Sequence, residues 1–229
     1  MLAKKKKLSK KEIKQDRLVE LYYKSQSYFE GNKNRILLYA GIAVVAVLAV
    51  FYYLNHKAEQ NDKAGLELSR VMSLYDSGAY LEAIEGRQGT DIIGLKQIVD
   101  IYGSTENGET AKIYLANSYA LLGQTEDAYN FYKDYSGSIN MYKAASYAGQ
   151  ASYHAIKNEY QKAADLYYRA AQVDANNIQR ADYLLQAGIN YLASGDQQEA
   201  KDLFQTIKDD FKGSAAFNSV DRYLAQIDN

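Results

Sequence analysis

Nineteen consecutive residues, 36–54 (ILLYAGIAVVAVLAVFYYL), carry no charge, no proline and no side-chain amide. A helix of this length rises about 28 Å, close to the roughly 30 Å hydrocarbon core of a bilayer. Tyr39 near one end and Tyr52 and Tyr53 at the other stand where amphipathic rings favour the headgroup level. A core helix of a soluble domain keeps a polar face, and this segment has none. A secretory leader has a shorter apolar run behind a short basic head and ends in a small-x-small site. Here 35 residues precede the run and the aromatic, polar stretch YYLNHK closes it. The segment reads as a single, uncleaved transmembrane helix.

Charge is divided sharply across that segment. Residues 1–35 hold eleven Lys/Arg against four acids, a net +7, and the remainder carries 16 Lys/Arg against 24 acids, a net −8. Juxtamembrane Lys and Arg are retained on the cytoplasmic side. The expected topology is a cytoplasmic N-terminus with residues 58–229 across the membrane, which in a bacterium is the periplasm. No cysteine is present, which removes disulfide frameworks and thiolate chemistry from consideration. Proline is also absent. A chain of helices punctuated by Gly, Asn and Asp fits that composition better than a β-rich domain.

In chain order, residues 1–14 form a lysine-rich tail too charged to bury a core. Such a tail either draws on anionic lipid, at about 1 kcal/mol per basic residue near the surface, or serves only as a topology signal. Residues 12–29 are periodic, with Leu18, Leu21, Tyr22, Ser25, Tyr28 and Phe29 on one helical stripe. That helix either lies on the lipid interface or docks on a partner. Gly31 and Asn32 are expected to break it before the span.

Beyond the membrane the chain repeats itself. GAYLEA at 78–83, GQTEDA at 123–128, NEYQKA at 158–163 and GDQQEA at 195–200 each place a loop residue five positions before an alanine, at alanine spacings of 45, 35 and 37. Units of this length with a helix–turn–helix pattern resemble the tetratricopeptide repeat, near residues 63–87, 109–138, 143–174 and 180–212. The last copy is the fullest, with Gly188, Tyr191, Gly195, Ala200 and Phe204 at the small, aromatic, turn, small and aromatic positions. In the third, His154 replaces the usual tyrosine, and the first is degenerate beyond Gly86. Residues 91–102 read as an extra helix with Leu95, Ile98, Val99 and Tyr102 on one face. Residues 214–227 read as a cap helix with Phe217, Val220, Leu224 and Ile227 on one stripe. The fold class is all-α: one transmembrane helix followed by a helical-repeat solenoid.

Catalytic patterns are missing from this reading. His56 and His154 have no His, Cys or paired carboxylate at a metal-ligand spacing. There is no G-x-S-x-G, Walker-type or G-x-G-x-x-G motif, and GSTENG at 103–108 lacks the lysine of a phosphate loop and reads as a connector. The acidic C-terminal part argues against nucleic acid. The expectation is a non-enzymatic protein without cofactor, metal or small-molecule substrate. Alignment to the repeat places Leu68, Met72, Ile113, Asn117, Ala148, Ser152, Leu185, Ile189 and Leu192 on the concave groove. That groove reads as apolar with one amide, suited to an extended segment or a partner helix unless the chain's own helices fill it.

With DIYGSTENGETAKIYLANSYALLGQTEDA at 100–128 and LLQAGINYLASGDQQEAKDLFQTIKDDF at 184–211, the chain resembles the bacterial ancillary SecYEG translocon subunit (YfgM-like) family over nearly its whole length. The resemblance implies a bacterial inner-membrane protein associated with the SecYEG channel and with periplasmic folding factors that receive newly exported chains. A scaffold for another envelope assembly remains the alternative reading.

Overall fold

The computed structural model describes residues 10–227, with side chains from Arg17 onward. The expected tail at 1–14 therefore falls mostly outside the described residues. What is described is all-helical, with no strand; a lone antiparallel bridge joins Gly86 to Ile93. The chain divides into two compact units, residues 1–56 and 57–229.

The first helix, α1 (Lys10–Asp76), begins in one unit and ends in the other. Gly31 and Asn32 do not break it, contrary to expectation. A glycine inside a helix costs only about 1 kcal/mol, and no proline is present to remove a hydrogen bond. Asn32 Nδ2 donates to the Tyr28 carbonyl at 3.0 Å, one turn back, so its side chain reinforces the helix it was expected to end. Glu20 and Lys24 pair at 2.7 Å across another turn.

Among the described residues nine further helices follow: α2 (Tyr80–Glu85), α3 (Leu95–Tyr102), α4 (Glu106–Leu121), α5 (Thr125–Asp134), α6 (Asn140–Ile156), α7 (Tyr160–Gln172), α8 (Arg180–Ser194), α9 (Gln197–Asp210) and α10 (Ala215–Ile227). Four turns among them share one geometry. Gly78, Gly123, Asn158 and Gly195 all take positive φ, between 61° and 93°. Each donates its N–H to the carbonyl three residues back, and the next residue donates to the carbonyl five back, at 2.8–3.1 Å. This pair of bonds satisfies the orphan carbonyls of the outgoing helix and needs a left-handed residue, which glycine and asparagine supply. The alanine five positions on (Ala83, Ala128, Ala163, Ala200) is buried every time, at 3% exposure or less. The sequence motif and the backbone turn thus coincide in all four copies.

Between α2 and α4 the chain departs from the expected extra helix at 91–102. Only Leu95–Tyr102 is helical; Ile93 bridges Gly86, and Gly94 lies against the backbone of residues 84–86. A Cβ on Gly94 would stand 2.1 Å from the Ile84 carbonyl, so the segment packs there as extended chain before turning into α3. The polar stretch 103–108 is only in part a connector. Thr105 caps α4 by accepting from Gly108 N at 3.1 Å, which makes Glu106–Gly108 the first turn of that helix. Asn61 adds a second cap from α1: its Oδ1 accepts from Asn107 N at 2.8 Å.

Packing follows chain order. Consecutive helices from α4 to α10 pack against one another, and the core divides into three clusters linked by shared helices. In chain order, the first cluster gathers the end of α1 with α2, α3 and α4, the second α4, α5 and α6, and the third α6 to α10, so α4 and α6 are the shared helices. Helix α10 lays Phe217, Val220, Leu224 and Ile227 on the third cluster, and Ser214 starts it by accepting from Phe217 N at 3.1 Å. A buried ionic network clamps α4 to the end of α5. Glu109 accepts from Lys112 Nζ (2.9 Å), Ser136 N (2.7 Å) and Ser136 Oγ (2.9 Å), and Lys112 also reaches Asp134 at 2.8 Å.

Candidate interaction surface

One described helix is long and apolar enough to cross a membrane, and its most apolar 18-residue window is wholly unburied within the chain. Side chains from Leu37 to Leu54 stand open along it. Exposure of this extent is far above what a soluble chain leaves in one contiguous patch. The stripe expected just before the span is open as well. Leu18, Leu21, Tyr22 and Tyr28 are 60–69% exposed and Phe29 is 46% exposed. Tyr23 lies beside the stripe, its ring edge-on to Tyr22 at 5.7 Å.

The nine residues expected to line a groove are not brought together as one open surface. Leu68, Ile113 and Leu185 are buried, each in a different core cluster. The third lies with the α8–α9 core and Ile113 with α5 and α6. Their helical stripe points into the seams between neighbouring helices, where the hydrophobic gain is larger than at an open groove. Met72, Ala148, Ile189 and Leu192 are half-buried at the edges of those clusters. Ser152 is exposed.

The polar members of the set are already engaged. Asn117 Oδ1 accepts from Tyr132 Oη at 2.6 Å, and Asn117 also hydrogen-bonds Tyr75. Tyr167 stands in the same relation to Ser152, fifteen residues apart, as Tyr132 does to Asn117. In the last unit the equivalent pair is Ile189 and Phe204, both apolar. In the last three repeats the aromatic on the second helix thus stands over the middle of the first; the degenerate first repeat has no such aromatic. Burial pushes the hydroxyls of Tyr132 and Tyr167 up from their ordinary range. A cavity of about 110 Å³ remains beside Ser152, walled by Ala128, Tyr132, Gly149 and Tyr153.

His154, which replaces the repeat's usual tyrosine, occupies a packing position, its side chain 14% exposed. Its ring packs edge-on to Tyr129 and Tyr153, and Nδ1 meets the more exposed Glu159 Oε2 at 2.6 Å across the turn at Asn158. Hydrogen bonds from Lys162 first and His154 second hold the Glu159 carboxyl below its usual range. The histidine braces the turn where the other units pack Leu74, Tyr119 or Tyr191. Reading residues singly could not reveal this, although a glutamate five residues after the histidine was a usable signal. Exposed apolar side chains of the second unit lie elsewhere, among them Leu66, Leu81, Ile101, Met141, Ile156 and Ile178. Among the described residues, no three His, Cys, Asp or Glu side chains converge as a metal site.

Compared with protein-family models, curated proteins and solved structures, the chain matches none.

Proposed function

We propose that this chain is a single-pass inner-membrane adaptor whose helical-hairpin array, of the tetratricopeptide type, binds protein partners on the far side of the membrane. The observation that carries the reading is the fourfold turn at Gly78, Gly123, Asn158 and Gly195 following a fully unburied apolar helix. Repeated hairpins stacked in series make extended surfaces, and such surfaces serve recognition more often than chemistry. The basic N-terminal segment supports a cytoplasmic N-terminus and a periplasmic array. Partner identity rests on the resemblance of residues 100–128 and 184–211 to ancillary translocon subunits. On that basis the span docks at the SecYEG channel, and the array recruits periplasmic folding factors or newly exported chains. Tethering raises the local concentration of the array, so weak individual contacts suffice.

Photocrosslinking in intact membranes tests this directly. A photoreactive residue at Val47 is expected to capture a channel subunit, and one at exposed Ser152 a folding factor or an exported chain. Capture of an unrelated envelope complex from Ser152, with no channel adduct from Val47, would replace the translocon reading with a scaffold of a different assembly.

A further inference from the structure

Sixteen Lys and Arg follow the span, on a portion of the chain with net charge −8. At least seven reach a carboxylate oxygen within 4.0 Å. Lys133, Lys143 and Arg169 have no such partner among the described residues, yet they line one cavity of about 450 Å³ between the end of α5, α6 and α7. Ser136, Ser146 and Gln150 complete its polar wall, and no carboxylate lines it. The neighbouring acids are committed elsewhere: Glu109 and Asp134 to Lys112, and Asp165 to the Tyr191 hydroxyl at 2.8 Å. Arg169 is held in place, its guanidinium 4.5 Å from the Tyr147 ring centre and one N–H donated to Tyr147 Oη at 3.2 Å. Its remaining donors are available to a ligand, in a fork geometry that suits oxyanions. Three cations thus line one cavity that no carboxylate lines, on a portion of the chain whose net charge is negative.

We propose that this cavity is a binding site for a compact ligand bearing two or more oxyanionic charges, carboxylate or phosphate. Its volume falls in the range of small-ligand pockets, roughly 300–1,000 Å³. It involves none of the nine groove positions, and its existence does not depend on the translocon reading. The anion is either a free molecule or a cluster of acidic side chains on a polypeptide, and the two sources can be separated. Calorimetric titration uses the full chain in nanodiscs of uncharged phosphatidylcholine, with inorganic phosphate, citrate and a tetra-aspartate peptide as probes. Saturable binding is expected for at least one probe, weakened about tenfold by Lys143→Gln and by Arg169→Gln, as for loss of a charge-assisted hydrogen bond. Binding tightest to phosphate or citrate assigns a free anion, and binding tightest to the peptide assigns a polypeptide-borne one. Lys212→Gln, a cation in the α9–α10 connection, is expected to leave the affinity unchanged. No saturable binding of any probe, or equal weakening by Lys212→Gln, would overturn the site.

Discussion

Gly188 on α8 and Phe204 on α9 are packed so closely that a single methyl group tests the arrangement. A Cβ at Gly188 would lie 2.4 Å from Cε1 and 2.9 Å from Cζ of the Phe204 ring. Carbon atoms in ordinary contact sit about 3.5–4.0 Å apart, so one partner has to move by roughly 1 Å. The ring has little room to do so: Phe204 is fully buried and stacks on Tyr223 at 5.4 Å. Overpacking of this kind costs about 1–3 kcal/mol. Replacing a helical glycine by alanine returns up to about 1 kcal/mol of helix propensity. Gly188→Ala is therefore expected to destabilise the second unit by roughly 1–2 kcal/mol, a Tm drop of about 2–8 °C for a domain of this size. Near-UV circular dichroism of the full chain in micelles reads it out, since the signal comes from the chain's 23 tyrosines. Phe204→Leu relieves the crowding, so the double variant should lose about 1 kcal/mol less than the sum of the two singles. A Gly188→Ala variant more stable than the parent, or strict additivity in the double, would refute the reasoning.

Three other perturbations follow from the same description. Lys112→Ala leaves Glu109 buried without its cation and should cost about 3–5 kcal/mol by urea unfolding; a loss under 1 kcal/mol would show the network to be dispensable. Alkaline pH should unfold the second unit. Burial pushes the Tyr132 and Tyr183 hydroxyls up and Tyr114 to about 12, so the stability they contribute is complete below the unfolded value near 10 and fades as pH rises through the folded values. The Lys112 ammonium acts in the same direction: burial opposes its charge, but Asp134 and Glu109 outweigh burial and raise it above 10.5. Tyrosinate absorbance that rises smoothly from pH 10, with no unfolding step, would contradict this. Val45→Asp puts a carboxylate mid-span at about 3 kcal/mol, and should shift the protein from alkali-resistant to alkali-extractable in membrane fractions.

Several elements could be read directly from residues. The turn residues Gly78, Gly123, Asn158 and Gly195 and the buried alanines after them are legible because their requirements are local: a left-handed backbone and a small side chain. The stripe of the final helix, Phe217, Val220, Leu224 and Ile227, is legible for a similar reason, since periodicity reports which face is covered. Periodicity does not report what covers it. Leu68, Ile113 and Leu185 occupy aligned positions and were expected in a groove, yet neighbouring helices bury them. The Gly31–Asn32 break failed because the cost of one glycine is small beside the hydrogen bonds of an uninterrupted helix.

By itself the amino-acid sequence determined that the chain is helical, that residues 36–54 have the length and composition to span a bilayer, and where each hairpin turns. These follow from local periodicity, hydropathy and the few residues that tolerate positive φ. Only the tertiary structure decided that Asn61 caps a helix more than forty residues away, that Glu109 and Lys112 clamp α5, and that Lys133, Lys143 and Arg169 meet in one cavity. Those groups are distant in sequence and ordinary in type. Their meaning comes from which helices the turns bring side by side.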